Sequence, residues 1–321
     1  MADGRPVVVV TRLDDVTADL VIAELNERDV PVVRLDPGDL SSSVTMDVFV
    51  GGKGPEGRIA TPTRDLDVSQ VRAVYWRRPS PYTAPVDVTG AEALWCIDQG
   101  RYGLGGVLGS LPGAHYINHP WRNRDAEHKP AQLATAARCG LRIPPTLITN
   151  DQKCARRFAD EHGPVVYKPI RNTDYTDAQG RHLNIWTAEV TPDAITERLS
   201  MAPHLFQQRV NKVCDVRLTV VGGELFGVRI DGSSGLDWRL HYDQLTYSSV
   251  EVPPDVARAV RAYLNAFGLD FGAFDFGVDQ EGRWWMYECN PNGQWAWFPD
   301  HITEQITRAL ADRLQHPGVS R

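Results

Sequence analysis

The densest chemistry in this sequence lies near its C-terminus. Asp275 stands inside GAFDFGV, a run that is otherwise apolar and aromatic, and the next run ends Tyr287-Glu288-Cys289-Asn290-Pro291-Asn292-Gly293. Residues two apart on a strand share a face, so Glu288 and Asn290 point the same way, and a hairpin turning over residues 279–282 can set Asp275 opposite them. Three oxygen ligands would converge there. A hard cation such as Mg²⁺ takes one or two carboxylates, keeps waters and completes its shell from substrate phosphates. The plainer reading is a solvated hairpin end with incidental acids. It is weakened by the apolar surroundings of Asp275, where an unpaired carboxylate would be costly.

Cationic candidates are spread more widely. Lys129 lies near the start of a middle domain, Lys168 ends a strand (Tyr167-Lys168-Pro169), and Arg217 and Arg239 belong to Asp215-Val216-Arg217 and Asp237-Trp238-Arg239. Arginine suits a planar or tetrahedral oxyanion because its donors form a fork, so Arg217 and Arg239 are the stronger candidates for catalysis. Arg77 and Arg78 could be a charged strand end, but successive strand residues face opposite sides and one of the two can point inward. The aromatic set Trp284, Trp285, Tyr287, Trp295, Trp297 and Phe298 reads as core packing, with Trp295 and Trp297 close enough to the acids to line a cleft. Gly103, Gly105 and Gly106 lack the preceding strand and following acid of a dinucleotide fingerprint. His115 and His119 form only a loose pair.

These residues need a scaffold, and its pattern changes near residue 118. Before it, strands at 7–11, 31–35 and 71–76 alternate with helices at 15–28 and 90–109, and 43–50 pairs with 57–61 around Gly51, Gly52 and Gly54; this is an open α/β layer. After it, the pattern predicts a helix over 125–138, a helix from an Asp151 cap to 161, a strand at 165–169 and a short helix over 193–199. Strands follow at 205–210, 215–221 and 224–231, the last two joined at Gly222-Gly223, then a helix at 255–267, the hairpin 271–278/284–288 and a closing helix from 300. The fold class is therefore α/β plus α+β.

At 321 residues the chain is sized for two domains or three. Its 34 Lys and Arg against 41 Asp and Glu give a net charge of −7, which argues against a nucleic-acid partner. Five widely spaced cysteines suggest neither a disulfide framework nor a thiolate metal site. No signal-peptide core or membrane-length apolar run is present, so a cytoplasmic protein with no membrane partner is expected.

Together, Lys129, Lys168, the Asp215-Val216-Arg217 strand and the Asp275…Glu288-Cys289-Asn290 set, in this order over residues 119–298, resemble the ATP-grasp superfamily. Within it the sequence is similar to the maturases of graspetides, the microviridin-like ribosomal peptides. The residues behind this are Tyr75-Trp76-Arg77-Arg78-Pro79, Ile117-Asn118-His119-Pro120, the run from Ile143 to Asn150, Asp237-Trp238-Arg239, and the run from Glu288 to Trp295. The resemblance implies an ATP-grasp fold: an N-terminal pre-ATP-grasp domain (1–118), a small subdomain (119–205) and a large subdomain with the metal site (206–321). It implies ATP and Mg²⁺ as cofactors. Lys129 and Lys168 would meet phosphates, Gln208 and Val210 would meet adenine through main-chain groups with Asp215 nearby, and Asp275, Glu288 and Asn290 would hold metal. Arg217 and Arg239 would bind an acyl phosphate.

The implied partner is a precursor peptide with a leader and a Thr/Ser/Asp/Glu-rich core, and a homodimer is compatible. Its Asp or Glu carboxylates would be activated and captured by Thr or Ser hydroxyls, or a Lys amine, as macrocyclic esters or amides. Two departures stand out. Position 208 is Gln where Glu is expected, and between Lys168 and Gln207 the only glycine is Gly180. A free-standing amino-acid or peptide ligase of the glutamate-adding type remains an alternative. A non-catalytic nucleotide-dependent peptide-binding module is another, disfavoured by the intact lysine and acid set.

Overall fold

The computed structural model describes residues 3–317 except 53, 172–174, 178, 184, 233–234, 237 and 239–244. Val7–Val10 is an unbroken β-branched run buried on both faces, the pattern of a central parallel strand. It lies between Val32–Leu35 and Ala73–Trp76, with His115–Ile117 on the outer edge, all parallel. Helix Val16–Glu27 starts where the Asp15 carboxylate accepts from Ala18 N. Helix Gly90–Leu108 crosses back to the last strand. The expected hairpin, Thr45–Gly51 with Gly54–Ala60, carries a third strand, Asp65–Asp67, that the sequence pattern did not disclose.

Two antiparallel sheets follow. One orders Ala188–Val190, Val165–Lys168, His204–Gln208 and Thr146–Thr149, backed by helix Gln152–His162, whose Asp151 cap accepts from Lys153 N and Cys154 N. The other orders Thr246–Ser249, Glu224–Asp231, Lys212–Val221, Phe271–Asp279 and Trp284–Asn290, covered on one face by Pro254–Phe267.

Two expected helices differ. The stretch 125–138 is two helices, Pro120–Ala126 and Lys129–Arg138, because Pro130 lacks an N–H and its ring would clash with the carbonyl four residues before it, so that one helix cannot run through but a fresh one can start there. The helix expected over 193–199 is a pair of 3₁₀ turns, Pro192–Ala194 and Glu197–Met201, separated by Ile195 and Thr196 in extended backbone. β-branched residues at that break favour extension over a helix too short to nucleate.

The C-terminal helix Asp300–Gln315 returns to the first sheet. One apolar cluster thus contains Val7, Val9, Leu25 and Ile117 together with Val228, Phe271, Trp295, Ile306 and Leu310. Buried Asn118 fastens the same junction. Its Nδ2 donates to Phe271 O (2.9 Å) and Pro291 O (3.0 Å), and its Oδ1 accepts from Asp270 N (2.8 Å) and Phe271 N (2.9 Å). It therefore ties the start of one strand of the acidic hairpin to the end of the other. Asn118→Ala should leave four backbone groups unsatisfied, three of them buried, and lower stability by about 3–5 kcal/mol. Thermal and urea unfolding against a surface control would measure it; a change no larger than the control would refute the role.

Candidate active site

The strand Phe271–Asp279 is buried at every position, and Asp275 sits at its centre. Cross-strand register places Arg217 on one side of it and Glu288 on the other, so one rung of the sheet reads Arg217, Asp275, Glu288. Arg217 Nη1 donates to Asp275 Oδ1 at 2.8 Å, with both side chains buried. Glu288 is paired from outside the sheet: Lys129 Nζ lies 3.2 Å from its Oε2 and donates to Pro169 O at 2.8 Å. Asn290 is opposite Ala273, two residues from Glu288, and its Oδ1 accepts from Asn292 N (2.9 Å).

The hairpin register slips between Asp275 and Phe276, making Tyr287 the extra residue of a bulge. Gly277 makes room for its ring, since a Cβ there would lie 2.2 Å from Tyr287 Oη. Lys168, at the end of its strand in the other sheet, places Nζ 4.1 Å from the centre of that ring, so the two antiparallel sheets meet in a cation–π contact. Lys168 Nζ also donates to Gln207 Oε1 (2.8 Å), and Gln207 Nε2 donates to Thr146 Oγ1 (2.9 Å). Loss of hydration pulls the Lys168 ammonium down to about 8; Glu288 opposes the shift, Lys129 and Lys212 reinforce it, and Asp275 opposes it.

Of the other expected residues, Asp215 is held by Lys212, whose Nζ donates to Oδ2 (2.6 Å) and Oδ1 (2.8 Å). Gln208 N donates to Pro145 O (2.8 Å) and Val210 O accepts from Lys212 N (2.9 Å). Both residues line a cavity of about 420 Å³ with Pro144, Asp279, Arg283 and Trp285. Arg239 and Asp237 lie outside the described residues. The structure thus brings Lys129, Lys168, Arg217, Asp275, Glu288 and Asn290 to one seam, with Gln208 and Val210 beside a cavity.

Sequence reasoning missed Gln207, Lys212, Tyr287 and the role of Arg77. Arg77 is 2% exposed. Its Nε donates to Asp15 Oδ2 (3.3 Å), Nη1 to Asn292 O (3.0 Å) and Gly293 O (3.2 Å), and Nη2 to Gln294 Oε1 (2.9 Å). The signal was the strand alternation that turns one of Arg77 and Arg78 inward. For the bulged Tyr287 there was none.

The donor set at the rung is two carboxylates and an amide oxygen, all hard ligands. Among the described residues no group of three or more His, Cys, Asp and Glu is placed to hold a metal ion. A cation here would depend on Asn290 and on oxygens brought by a substrate, which fits Mg²⁺.

Residues 6–124 match the family model described as the MvdD pre-ATP grasp domain. Solved structures match almost end to end. A Chryseobacterium gregarium RiPP-associated ATP-grasp ligase, in complex with ADP and a leader and core peptide, has a TM-score of 0.88 at 23% identity, over 97% of this chain and 96% of that one. The fold is ATP-grasp. The macrocyclase MdnC from Microcystis aeruginosa MRC, bound with precursor peptide MdnA, matches at 0.85 and 26%, over 96% of this chain and 98% of its own. The ATP-grasp ligase PsnB, complexed with minimal precursor, Mg and ADP, matches at 0.75 and 22%, over 97% and 98%. No curated protein matches this chain. The resemblance drawn from the motifs is therefore borne out, and the ATP-grasp chain carries its pre-ATP-grasp domain at the N-terminus.

The Lys168 environment is testable without any ligand. Its ammonium should titrate near pH 8, well below the ordinary lysine value. Gln207→Leu, which removes an acceptor from the charged form, should lower the midpoint further by about one unit. NMR of ¹³C-methylated lysines would follow both, and a Lys168 signal titrating with the surface lysines would refute the assignment.

Proposed function

We propose that this chain is an ATP-dependent, ADP-forming ligase. It activates Asp or Glu side-chain carboxylates of a ribosomal precursor peptide as acyl phosphates and closes macrocyclic esters or amides with Thr, Ser or Lys side chains. The observation that carries the reading is the grouping of Lys129, Lys168 and Arg217 around the Asp275–Glu288 rung. Such a charge set suits phosphoryl transfer, in which the protein positions groups and neutralises charge. The structural likeness to ligases solved with ADP and precursor peptides supports the same reading.

In this reading the nucleotide lies between the 119–205 and 206–321 units. Lys129 and Lys168 bind phosphate oxygens, and Lys129 would then exchange Glu288 for phosphate. Main-chain groups near Gln208 and Val210 meet adenine, with Asp215 and its Lys212 partner beside them. Asp275, Glu288 and Asn290 would hold Mg²⁺, which supplies charge neutralisation and orientation to the phosphates when bound. Arg217 holds Asp275 at its post, and Arg217 and Arg239 are both assigned to the acyl phosphate on their motifs. Capture within one chain follows because a tethered nucleophile has a high effective concentration.

Purified protein, ATP, Mg²⁺ and a precursor peptide, read by mass spectrometry, test the proposal. The expected result is loss of one water per ring with ADP as co-product, and reopening of an ester ring in mild base. AMP formation, or joining of separate molecules without internal dehydration, would overturn it. Glu288→Gln and Asn290→Ala should each reduce turnover by on the order of 100-fold or more with an unchanged circular dichroism spectrum. Full activity of both at low Mg²⁺ would remove the metal assignment.

A further inference from the structure

Trp284–Asn290 is the outermost strand of its sheet, so the main-chain groups on one of its sides have no strand to pair with. Where that side is buried they need other partners. Met286 N finds one in Arg142 O (2.8 Å). Further along, past the extra residue Tyr287, Cys289 has both its N–H and its carbonyl met by a single side chain. Cys289 N donates to Gln132 Oε1 (3.0 Å), and Gln132 Nε2 donates to Cys289 O (2.9 Å) and to Ala126 O (2.6 Å). A glutamine amide carries the donor and acceptor of a peptide group, and here it stands in for the missing strand. Gln132 and Cys289 are both buried.

The place of Cys289 in the strand gives this contact its interest. Its side chain belongs to the apolar cluster that holds Ala126, Ala136 and Met286. Its neighbours Glu288 and Asn290 leave the strand on the other face, and they are two of the three oxygen donors at the rung. The amide comes from helix Lys129–Arg138, which carries Lys129 three residues before Gln132 and on the same side. Lys129 Nζ stands 3.2 Å from Glu288 Oε2. One side of one helix therefore grips the backbone between the two donors and touches the side chain of one of them.

We propose that Gln132 is a positioning residue for the divalent cation: by clamping both main-chain groups of Cys289 it fixes the spacing and direction of Glu288 and Asn290 without touching the cation itself. A hard cation that takes few protein ligands and fills its shell with water and phosphate oxygens depends on those few being held in place beforehand. A strand paired on one side only is the least constrained in a sheet, and the clamp supplies its second side at the residue between the donors. This inference rests on the metal assignment of the ligase reading and adds to it a residue that acts through the backbone.

The test uses the full chain with Mn²⁺ as the probe, its binding to the ADP complex counted by electron paramagnetic resonance. Gln132→Met keeps the length of the side chain and removes the amide. The expected result is a Mn²⁺ affinity lower by roughly 10- to 100-fold, the usual effect of losing a residue that holds a ligand. ADP affinity without metal should be unchanged, because Lys129 keeps its own anchor at Pro169 O. Leu104→Ala, in the core of the N-terminal sheet, controls for lost stability and should leave Mn²⁺ affinity as it was. Should Gln132→Met fail to fold, the unaltered protein carries the test. By reciprocity Mg²⁺ must tighten the clamp, so hydrogen exchange of the Cys289 amide in the ADP complex should slow by roughly 10-fold when Mg²⁺ is added. No Mn²⁺ binding in the unaltered complex, undiminished affinity in Gln132→Met, an equal fall in Leu104→Ala, a parallel loss of metal-free ADP affinity, or a Cys289 amide indifferent to Mg²⁺ would each overturn the inference. A protein in which Mn²⁺ affinity falls as expected, yet which forms no dehydrated product from precursor and ATP before substitution, would fail the ligase reading and leave the clamp standing.

Discussion

A carboxylate in the middle of a strand buried at every position must be given a counter-charge, and much of this molecule is arranged around that requirement at Asp275. Arg217 supplies the charge from the neighbouring strand at 2.8 Å. To do so it must itself be buried, and its remaining donors need acceptors. One is Gln294 O, brought close by the turn after Asn290. That approach depends on Gly293, where a Cβ would stand 2.5 Å from Arg217 Nη2. The charge in the strand thus dictates a residue eighteen positions further on.

The same turn is gripped from the other side. Arg77 reaches from the parallel sheet to Asn292, Gly293 and Gln294, and Thr17 Oγ1 donates to Gln294 Oε1 as well. Removing either partner of the buried Arg77–Asp15 pair would strand a charge away from water. The N-terminal sheet is therefore a wall that fixes the loop following the acidic strand, and with it the position of Arg217. With Asn118 clamping Phe271 and Pro291, the rung is held at both ends by residues far from it in sequence.

How much of this was legible follows from the range of the forces involved. Strands fixed by local composition, such as Val7–Val10, and the cap at Asp151 were readable, because β-branched packing and cap hydrogen bonds act within a few residues. The facing of Asp275 and Glu288 was readable too, since a period of two and a short turn determine it. The bulge at Tyr287 was not, because alternation carries no mark of a slipped register, and it took Gly277 across the sheet to receive the ring. Gln207 was passed over for its neighbour Gln208, because which of two adjacent glutamines turns inward depends on a strand's pairing rather than its composition; the one that meets Lys168 is 1% exposed. The split at Pro130 was visible in the sequence but overridden by the helical pattern around it.

The two kinds of cation divide along the fold. The lysines that meet at the seam come from the segment after residue 118, on the first turn of one helix and the end of one strand, where each is held by an exchangeable contact: a carboxylate, a carbonyl, a side-chain amide and an aromatic face. On the proposed function such contacts would surrender an ammonium to a polyphosphate without leaving a buried charge behind, because Glu288 stands at the rim. Arg217 comes from a strand and Arg77 from the residue after one, and their planar groups are built into buried ion pairs that a loose ligand could not rearrange. In the proposed reaction such an arrangement would bind one anion reversibly through exchangeable contacts and orient a second through fixed ones. Joining a transferable phosphoryl group to a carboxylate makes both demands at once.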